Sequence, residues 1–326
     1  MLRVFCFLGL SVILAGGANA AGGEGGYAAP WLQVPAGARP TAMGGAYLGI
    51  SDDGAAPLFN PAGLARLERP MFSSSYRAMK LGRKLGYVSA MFPVRGESTL
   101  GVHWLYAGSG SVEARDADGY TTGHDISLNA HSIQILFAKL LVPFLSAGVN
   151  LDYILVDMPE LHSNSVGFDF GMMVYVEQFF DRERRENLPV QDIQIGLTAR
   201  NFSKRFSFVS SDYNMKYTTG DIGTEQEDKV PVELGLGVSG RLFNRHLVLA
   251  TDLRKNEKQN PEFHAGAEYF VTPEFMLRGG YSDKRLVAGT GYLFQIGKNA
   301  LSVDYAFSTD KADEGAEHIF SFDLLF

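Results

Sequence analysis

The C-terminal end of the chain alternates strictly between two kinds of side chain. In residues 318–326 one face carries mostly large apolar groups, and the residues between them include Ser321 and Asp323. The members of the large face are His318, Phe320, Phe322, Leu324 and Phe326. A period of two residues is typical of a β-strand that separates an apolar environment from a polar one. A soluble strand with one buried face and a membrane strand both fit this segment taken alone.

Similar strand-like segments follow one another from about residue 69 to the end of the chain, and turn residues separate them. We count fourteen, near 70–78, 84–94, 98–109, 125–140, 145–157, 165–177, 192–203, 230–242, 246–255, 262–271, 275–283, 286–297, 300–309 and 318–326. No long helical pattern interrupts them, so the sequence predicts an all-β fold.

The connections between these segments differ in length in a regular way. Most even-numbered connections are short, whereas four odd-numbered ones are long: 110–124, 158–164, 204–229 and 310–317. Outer-membrane barrels have short periplasmic turns and longer outer loops, and an even strand number places both termini in the periplasm. The segment 178–191 departs from this pattern, because it is long and highly charged but falls on the periplasmic side. We interpret it either as a charged periplasmic segment or as a solvated loop without a role.

These features predict a transmembrane antiparallel β-barrel of about fourteen strands in the bacterial outer membrane, in contact with its lipid. A two-sheet sandwich also has alternating strands, but it buries its apolar faces in a common core. Aromatic residues recur near strand ends, as an interfacial girdle requires. They are Tyr87, Tyr106, Tyr153, Phe270, Phe275, Tyr281 and Phe326.

The first twenty residues have the pattern of a secretory signal peptide, which we expect to span 1–20. A basic start precedes an apolar run from Val4 to Leu14, and Ala18-Asn19-Ala20 ends it. This run is too short to span a bilayer as a helix, which needs about 20 residues. The only cysteine, Cys6, would leave with the signal, which excludes disulfides and cysteine-ligated zinc from the mature chain. The net charge of −7 gives no indication of a nucleic-acid partner.

A Gly-, Ala- and Pro-rich region, residues 21–68, precedes the barrel segment, residues 69–326. It contains VPAGARPTAMGGAY at 34–47, SDDG at 51–54 and FNPAGL at 59–64. In combination these motifs resemble the PorV/PorQ family, a branch of the FadL-like outer-membrane barrels. Later segments strengthen the resemblance: GLTARNF at 196–202, VPVELGL at 230–236, GAEY at 266–269 and LRGGY at 277–281.

The resemblance implies that residues 21–68 form a plug, or hatch, inside a barrel of fourteen strands. The motif residues that would build it are Gly37, Arg39, Met43, Gly44, Gly45, Asp52, Asp53, Asn60 and Pro61. The glycines would permit close backbone packing, and Asn60-Pro61 would set a turn. We expect Asp52 and Asp53 to be turn or cap residues of the plug; a carboxylate pair for metal or catalysis is the alternative.

The resemblance also implies two functions. Some family members act in type IX secretion, which would make the secretion translocon and secreted proteins the partners of this chain. FadL relatives instead pass small hydrophobic molecules, and a barrel without cargo is a third possibility. The terminal stripe Phe320, Phe322, Leu324 and Phe326 would serve as the signal that the barrel assembly machinery reads.

Nothing in the sequence indicates an enzyme or a cofactor. The seven histidines form no metal-binding pair, and there is no nucleophile elbow or phosphate-binding loop. We interpret His103, His131, His264 and His318 as lumen or interface residues. Several charges fall on predicted lumen faces: Glu233, Asp252, Arg254, Glu268, Arg278, Asp304 and Asp323. They either line a transport path or are solvated or paired with one another.

Two contacts can be predicted in detail. Arg39 is the only basic residue between the signal and Arg66, so a buried guanidinium there needs a carboxylate or carbonyl acceptor at the barrel wall. The tight connection Thr272–Glu274 sets the pairing of the two strands that flank it, which places Glu268 opposite Arg278 on the lumen side. A shift of one residue would turn one of these charges toward lipid, at a cost of roughly 2–4 kcal/mol for a mid-bilayer Arg.

Overall fold

The structure is a computed structural model that describes residues 28–115, 118–159, 161–181, 183, 185, 188–209, 225–282, 285–309 and 315–326. The expected signal peptide, Cys6 and the start of the region 21–68 lie outside the described residues. No helix among the described residues is long and apolar enough to cross a membrane.

Eighteen strands are present in the described residues. They are β1 Met71–Ala78, β2 Lys84–Val94, β3 Ser98–Gly108, β4 Val112–Arg115, β5 Thr121–Ile126, β6 Asn129–Val142, β7 Leu145–Met158, β8 Leu161–Tyr175, β9 Gln191–Phe202, β10 Arg205–Val209, β11 Glu225–Lys229, β12 Glu233–Leu242, β13 Leu247–Asn256, β14 Glu262–Phe270, β15 Phe275–Ser282, β16 Arg285–Ile296, β17 Asn299–Thr309 and β18 Ala316–Leu325. Fourteen of them form a closed barrel in which β1 pairs with β18. The predicted fourteen-stranded antiparallel barrel is therefore confirmed.

The four remaining strands form two hairpins outside the ring, β4–β5 and β10–β11. Both lie in connections that the sequence predicts to be long, 110–124 and 204–229. The predicted strand 125–140 starts at Asn129 instead, because residues 121–126 pair with β4. Residues 210–224 of the other connection lie outside the described residues.

One predicted loop is wrong. The expected long connection 158–164 is only two residues, because β8 begins at Leu161 and pairs with β7 from its first residue. Residues 161–164 read Leu-His-Ser-Asn, without the apolar alternation of a lipid-facing strand. A strand that continues past the bilayer needs no apolar face, so hydrophobic patterning gives no sign of its true start.

The barrel has two ends, which we name by what they carry. The termini end holds the start of β1 and the end of β18, where the Phe326 amide donates to the Pro70 carbonyl at 3.1 Å. The loop end is opposite and carries both hairpins. The charged segment 178–191 lies at the termini end, as predicted, and the 3₁₀ helix Val176–Phe179 overlaps its first two residues. Residues 182, 184, 186 and 187 of this segment lie outside the described residues, and its role remains a prediction.

Side chains alternate between the two faces of the wall. Along β18, Ile319 and Ser321 are buried, whereas Phe320 and Phe322 are exposed on the outer surface. The aromatic girdle prediction is wrong for Tyr87, which points into the lumen, where its ring centroid lies 5.0 Å from that of His103 with the two rings tilted by 31°. Its neighbour Val88 takes the outward position in β2, since consecutive residues of a strand face opposite sides.

Residues 28–68 lie inside the ring, and we refer to them as the plug segment. Its regular elements are a short helix α1, Ala38–Ala42, and 3₁₀ helices at Pro30–Gln33, Ala56–Leu58 and Pro61–Arg66. The plug segment runs from the loop end, where Pro35 contacts Arg77, to the termini end, where it enters β1. The boundary of this segment at residue 21 stays a prediction.

Candidate functional site in the barrel lumen

The plug segment is held by wall side chains that bond to its backbone. Asn150 donates to the Pro57 carbonyl at 2.7 Å, and Ser239 donates to the Gly49 carbonyl at 2.7 Å. Further bonds of this kind join Ser89 to Gly54, Thr99 to Leu64, Ser146 to Ala62 and the Ala38 amide to Ser321. These contacts come from β2, β3, β7, β12 and β18, so the plug segment is bonded to the wall on several sides of the lumen.

Glycines in the wall make room for the plug segment. A Cβ atom on Gly196 would overlap the Leu48 carbonyl, and one on Gly280 would overlap the Gly44 backbone nitrogen. The same holds for Gly266 against the Met43 carbonyl. Backbone of the plug segment thus packs directly on backbone of the wall, which only residues without a side chain allow.

The predicted plug motif residues meet in the structure. Gly37, Gly44 and Gly45 have positive φ angles of 100°, 65° and 79°, a region that favours glycine. Met43 is fully buried, and Pro61 follows Asn60 as the first residue of the last 3₁₀ helix. The Asn60 side chain accepts from the Ala62 amide at 3.1 Å and donates to the carbonyls of Leu48 and Met172, each at 3.0 Å. Asn60 therefore caps this helix and also bonds the plug segment to β8.

Arg39 joins the plug segment to a chain of charges on the wall. Its Nε and Nη2 donate to the two carboxylate oxygens of Glu268 at 2.9 and 3.0 Å. Arg278 donates to the same carboxylate at 2.6 Å and to Asp304 at 2.5 Å. The prediction of an acceptor for Arg39 at the wall is confirmed, and we call Arg39, Glu268, Arg278 and Asp304 the four-charge network.

The predicted register is confirmed as well. Glu268 pairs with Arg278, and Tyr269 pairs with Leu277 on the opposite face. The two charged side chains are each 1% exposed and lie in the lumen, while Tyr269 and Leu277 are exposed outside. The strands adopt the predicted register, which keeps both charges in the lumen and away from lipid.

The two plug aspartates differ in environment. Asp52 is half exposed and receives a hydrogen bond from Arg39 at 2.5 Å. Asp53 is buried; it accepts from the Ala55 amide at 2.9 Å and from the Tyr47 hydroxyl. Burial raises the pKa of the Asp53 carboxyl, and the nearby Arg39 charge only partly opposes the rise. Asp53 thus acts as a turn cap, and no cluster of metal-binding side chains is present among the described residues.

The four remaining predicted lumen charges are buried, and three of them pair with close neighbours. Arg254 donates to Asp252 at 3.0 Å, and the same carboxylate accepts from the amides of Tyr47 and Leu48. Glu233 accepts from Arg200 at 3.3 Å. The buried Asp323 has one carboxylate oxygen without a hydrogen-bond partner among the described residues. Asp252 and Arg254 therefore hold the plug segment to the wall, whereas Glu233 pairs within the wall.

Sequence reasoning missed a second buried group, formed by Lys204, Asp152 and Asp169. The Lys204 ammonium donates to Asp169 at 2.9 Å and also contacts Asp152. Lys204 follows the end of β9, and its side chain lies over Gly167 of the neighbouring strand β8, where a Cβ atom would overlap it. Strand alternation cannot locate such a residue because it lies outside a strand. Arg77 and Glu317, which also pair, lie within strands and follow the alternation.

The loop end of the lumen contains an apolar surface on one side of the wall. We call it the apolar patch; it consists of Leu85, Tyr87, Leu105, Ala107, Ala130, Ile154 and Val156, all buried. Leu32 of the plug segment and Phe206 of β10 belong to the same hydrophobic cluster. Trp31, Val34 and Phe208 pack against it. The start of the plug segment and the β10–β11 hairpin therefore cover the patch.

The outer surface carries an apolar groove of about 480 Å³ across β8, β9, β12 and β13. Its outward side chains include Phe170, Met172, Leu197, Leu234 and Leu253. The inward residues Gly171 and Gly235 form its floor, and plug atoms of Asn60 and Leu48 lie directly behind them. At this point only strand backbone separates the outer surface from the plug segment.

No family model and no curated protein matches the chain. Solved structures do match it along most of its length. The Ralstonia pickettii toluene transporter TbuX superposes with a TM-score of 0.61 at 14% identity and covers 89% of this chain and 98% of its own. The Pseudomonas putida toluene transporter TodX superposes with a TM-score of 0.56 at 12% identity. The match covers 88% of this chain and 95% of TodX.

A Pseudomonas aeruginosa FadL homologue superposes with a TM-score of 0.58 at 10% identity, covering 90% of this chain and 98% of its own. At these identities the likeness concerns the fold, and it extends over the barrel and the segment inside it. The chain has the fold of the FadL-type outer-membrane barrels.

Proposed function

We propose that the chain is an outer-membrane transporter that passes small hydrophobic molecules through its lumen. The apolar patch carries this proposal, because it is an inward-facing apolar surface at the end of the barrel that bears the long hairpins. Outer loops of such barrels face the cell exterior. The fold shared with toluene transporters supports the same substrate class.

A hydrophobic molecule would replace side chains that now cover the patch. Leu32 and Phe206 are the buried groups that the plug segment and β10 contribute there. An apolar ligand gains free energy by leaving water for such a surface, at roughly 25 cal/mol per Å² of apolar area buried. Passage beyond the patch requires the plug segment to move, since its backbone packs directly on the wall glycines.

Uptake of radiolabelled toluene by cells with and without the chain tests this proposal. We expect faster uptake with the intact chain and a return toward background for Leu105→Gln, which places an amide in the patch. Leu136→Gln is the matched control, because Leu136 is equally buried in a separate cluster near the termini end. Rates are normalised to folded chain in the outer-membrane fraction. Equal uptake with and without the chain would refute the transport function.

A second candidate function is an accessory role in type IX protein secretion, in contact with the translocon and its secreted substrates. The motif that runs from Gly37 to Gly45, followed by Asp52-Asp53 and Asn60-Pro61, supports it by resemblance to the PorV/PorQ family. Deletion of the chain should then reduce secreted proteins in the medium, and affinity-tagged chain should co-purify with them. If the deletion strain secretes normally but loses toluene uptake, the secretion role is excluded and the transport function is supported.

A further inference from the structure

The apolar groove on the outer surface lies where β9 departs from regular pairing. Phe170 of β8 pairs with Ala199, whereas Phe168, two residues earlier in β8, pairs with Phe202, three residues later in β9. Strand β9 therefore contains one residue more than its partner at this point, which is a β-bulge. Bulges re-aim side chains and are often found next to functional sites.

The bulge removes an outward side chain from the wall. Arg200 and Asn201 are consecutive, yet both are buried and both bond to carboxylates inside the lumen. In a regular strand, one of two consecutive residues would face outward. Between Ala199 and Phe202 the outer face of β9 thus has no side chain, and Ala199 itself contributes only a methyl group. The backbone path of β9 therefore creates the groove.

A single positive charge lies at the side of this groove. Pairing across four strands places Phe170, Ala199, Leu234 and Lys255 in one row. Lys255 is the one charged residue among those that line the groove in the described part of the chain. It is exposed at the loop end of β13, and its ammonium donates to the Gln259 carbonyl. A lysine near the end of a membrane-spanning strand extends its ammonium to the interface with water.

This combination matches the two parts of a membrane lipid. The loop end faces the cell exterior, so Lys255 lies on the side of the outer leaflet. An acyl chain in the groove would contact Phe170 and Leu234 and fill the space above Ala199. An unfilled gap would leave these side chains without contact atoms on one side. The lipid headgroup would then lie beside Lys255, and basic side chains at such positions bind anionic headgroups.

We propose that the groove binds one phosphorylated lipid of the outer leaflet, with an acyl chain over Ala199 and the phosphate at Lys255. Lipid elsewhere on the barrel surface exchanges freely, whereas this position combines a recess in the wall with a charge of the right sign. The inference does not depend on the proposed transport function, because the groove is on the outer surface and the apolar patch is in the lumen.

The test is native mass spectrometry of the purified full chain in nonionic detergent. Dipalmitoyl phosphatidic acid and dipalmitoylglycerol are the probes, since they share their acyl chains and differ in the phosphate. We expect one phosphatidic acid per chain at saturation and at least tenfold weaker binding of the diacylglycerol. Ala199→Phe, which fills the groove, should weaken phosphatidic acid binding at least tenfold. Lys255→Gln should lower its affinity to that of the diacylglycerol.

Each variant has a matched control. Ala90→Phe places the same ring on the outer face of β2, where Ala90 pairs with the exposed residues Phe72 and Val102. Lys139→Gln removes an exposed lysine of β6 at the termini end, where Lys139 pairs with the first residue of β3. Both controls should bind phosphatidic acid as the original chain does.

Three outcomes would overturn the site. They are equal affinity of the original chain for the two lipids, a loss in Ala90→Phe as large as that in Ala199→Phe, and a loss in Lys139→Gln as large as that in Lys255→Gln. Circular dichroism of each variant shows whether it folds. Should Ala199→Phe fail to fold, Ala199→Leu decides, because it fills the groove with a smaller side chain.

Discussion

Glu268 joins the plug segment to two strands of the wall through one carboxylate. Its carboxylate accepts from Arg39 of the plug segment and from Arg278 of the neighbouring strand. Burial of one carboxylate between two guanidinium groups avoids an isolated buried charge, which proteins tolerate poorly. One residue thus links strand register and plug position.

Replacing Glu268 with Gln should strongly destabilise the barrel. Arg39 and Arg278 would then share a neutral acceptor, and breaking a buried ion pair typically costs about 3–5 kcal/mol. Urea unfolding of the purified chain in lipid vesicles measures the change. Glu257→Gln makes the same chemical change at an exposed loop position and should have little effect. Equal stability of the two variants would mean that the four-charge network is not coupled to folding.

Two adjacent glycines offer a direct test of the packing between plug segment and wall. A Cβ atom on Gly280 would overlap the plug backbone, whereas one on Gly279 would meet nothing within 4 Å. We therefore expect Gly280→Ala to lower the free energy of unfolding by about 1–3 kcal/mol, the usual cost of overpacking. Gly279→Ala should be close to neutral in the same urea titration. A neutral Gly280→Ala would show that the plug segment shifts without cost.

Single residues also show where sequence reasoning succeeds. The pairing of Glu268 with Arg278 could be predicted from the sequence because the tight connection Thr272–Glu274 limits the register, and lipid excludes a shift of one residue that would expose either charge. The contact of Lys204 with Asp152 and Asp169 could not be predicted from the sequence. It depends on a loop residue that reaches over Gly167, and no period in the sequence encodes that direction.

Among the elements, the hairpin β10–β11 depends on Lys204 for its position. Lys204 precedes β10 directly, and its ammonium is bound between Asp152 and Asp169 with a side chain 1% exposed. We expect Lys204→Met to leave two buried carboxylates without a cation, at a cost of about 3–5 kcal/mol, and to speed protease cleavage in the hairpin. Arg205→Met is the control, because its partner Glu227 is exposed. Unchanged cleavage would show that other contacts hold the hairpin.

The same lysine predicts a pH dependence. Although burial alone would lower the pKa of Lys204, the charges of Asp169 and Asp152 raise it above its usual value. A raised pKa in the folded state stabilises the fold fully below the unfolded value of about 10.4, and the contribution is lost as pH rises through the folded pKa. The Lys204 contribution to the stability difference between the original chain and Lys204→Met should therefore shrink as pH rises above about 10.4. A difference that stays unchanged up to about pH 12 would contradict this assignment.

The last strand, β18, closes the ring and presents aromatic side chains outward. Phe320, Phe322 and Phe326 are exposed on the outer surface, and the Phe326 amide bonds to Pro70. Deletion of Phe326 should reduce the amount of chain in the outer membrane while export to the periplasm continues. Tyr120→Ser, at an exposed position between β4 and β5, should leave the amount unchanged in the same fractionation. An unchanged yield after the deletion would remove Phe326 from the assembly signal.

For the whole molecule, the strand count and closure could be predicted because alternation recurs in every membrane-crossing segment. The elements that lie outside the bilayer could not be predicted in this way. The start of β8 at Leu161 and the two hairpins have no lipid-facing side, so their sequences carry no apolar period. The outer groove was also missed, since the bulge in β9 and the pairing of β12 with its neighbours bring Ala199 and Lys255 into one row only in the folded barrel.

Removing the plug segment should turn the closed barrel into an open pore. Barrels of eight strands fill their interior with side chains, and those of sixteen to eighteen leave an aqueous channel. A ring of fourteen strands therefore leaves space, which residues 28–68 occupy here. Deletion of 28–66 should produce large, stable single-channel currents in planar bilayers, where the full chain and Gly279→Ala give little or none. Currents equally small after the deletion would mean that wall side chains and the loop-end hairpins close the lumen, and that the plug segment serves folding rather than gating.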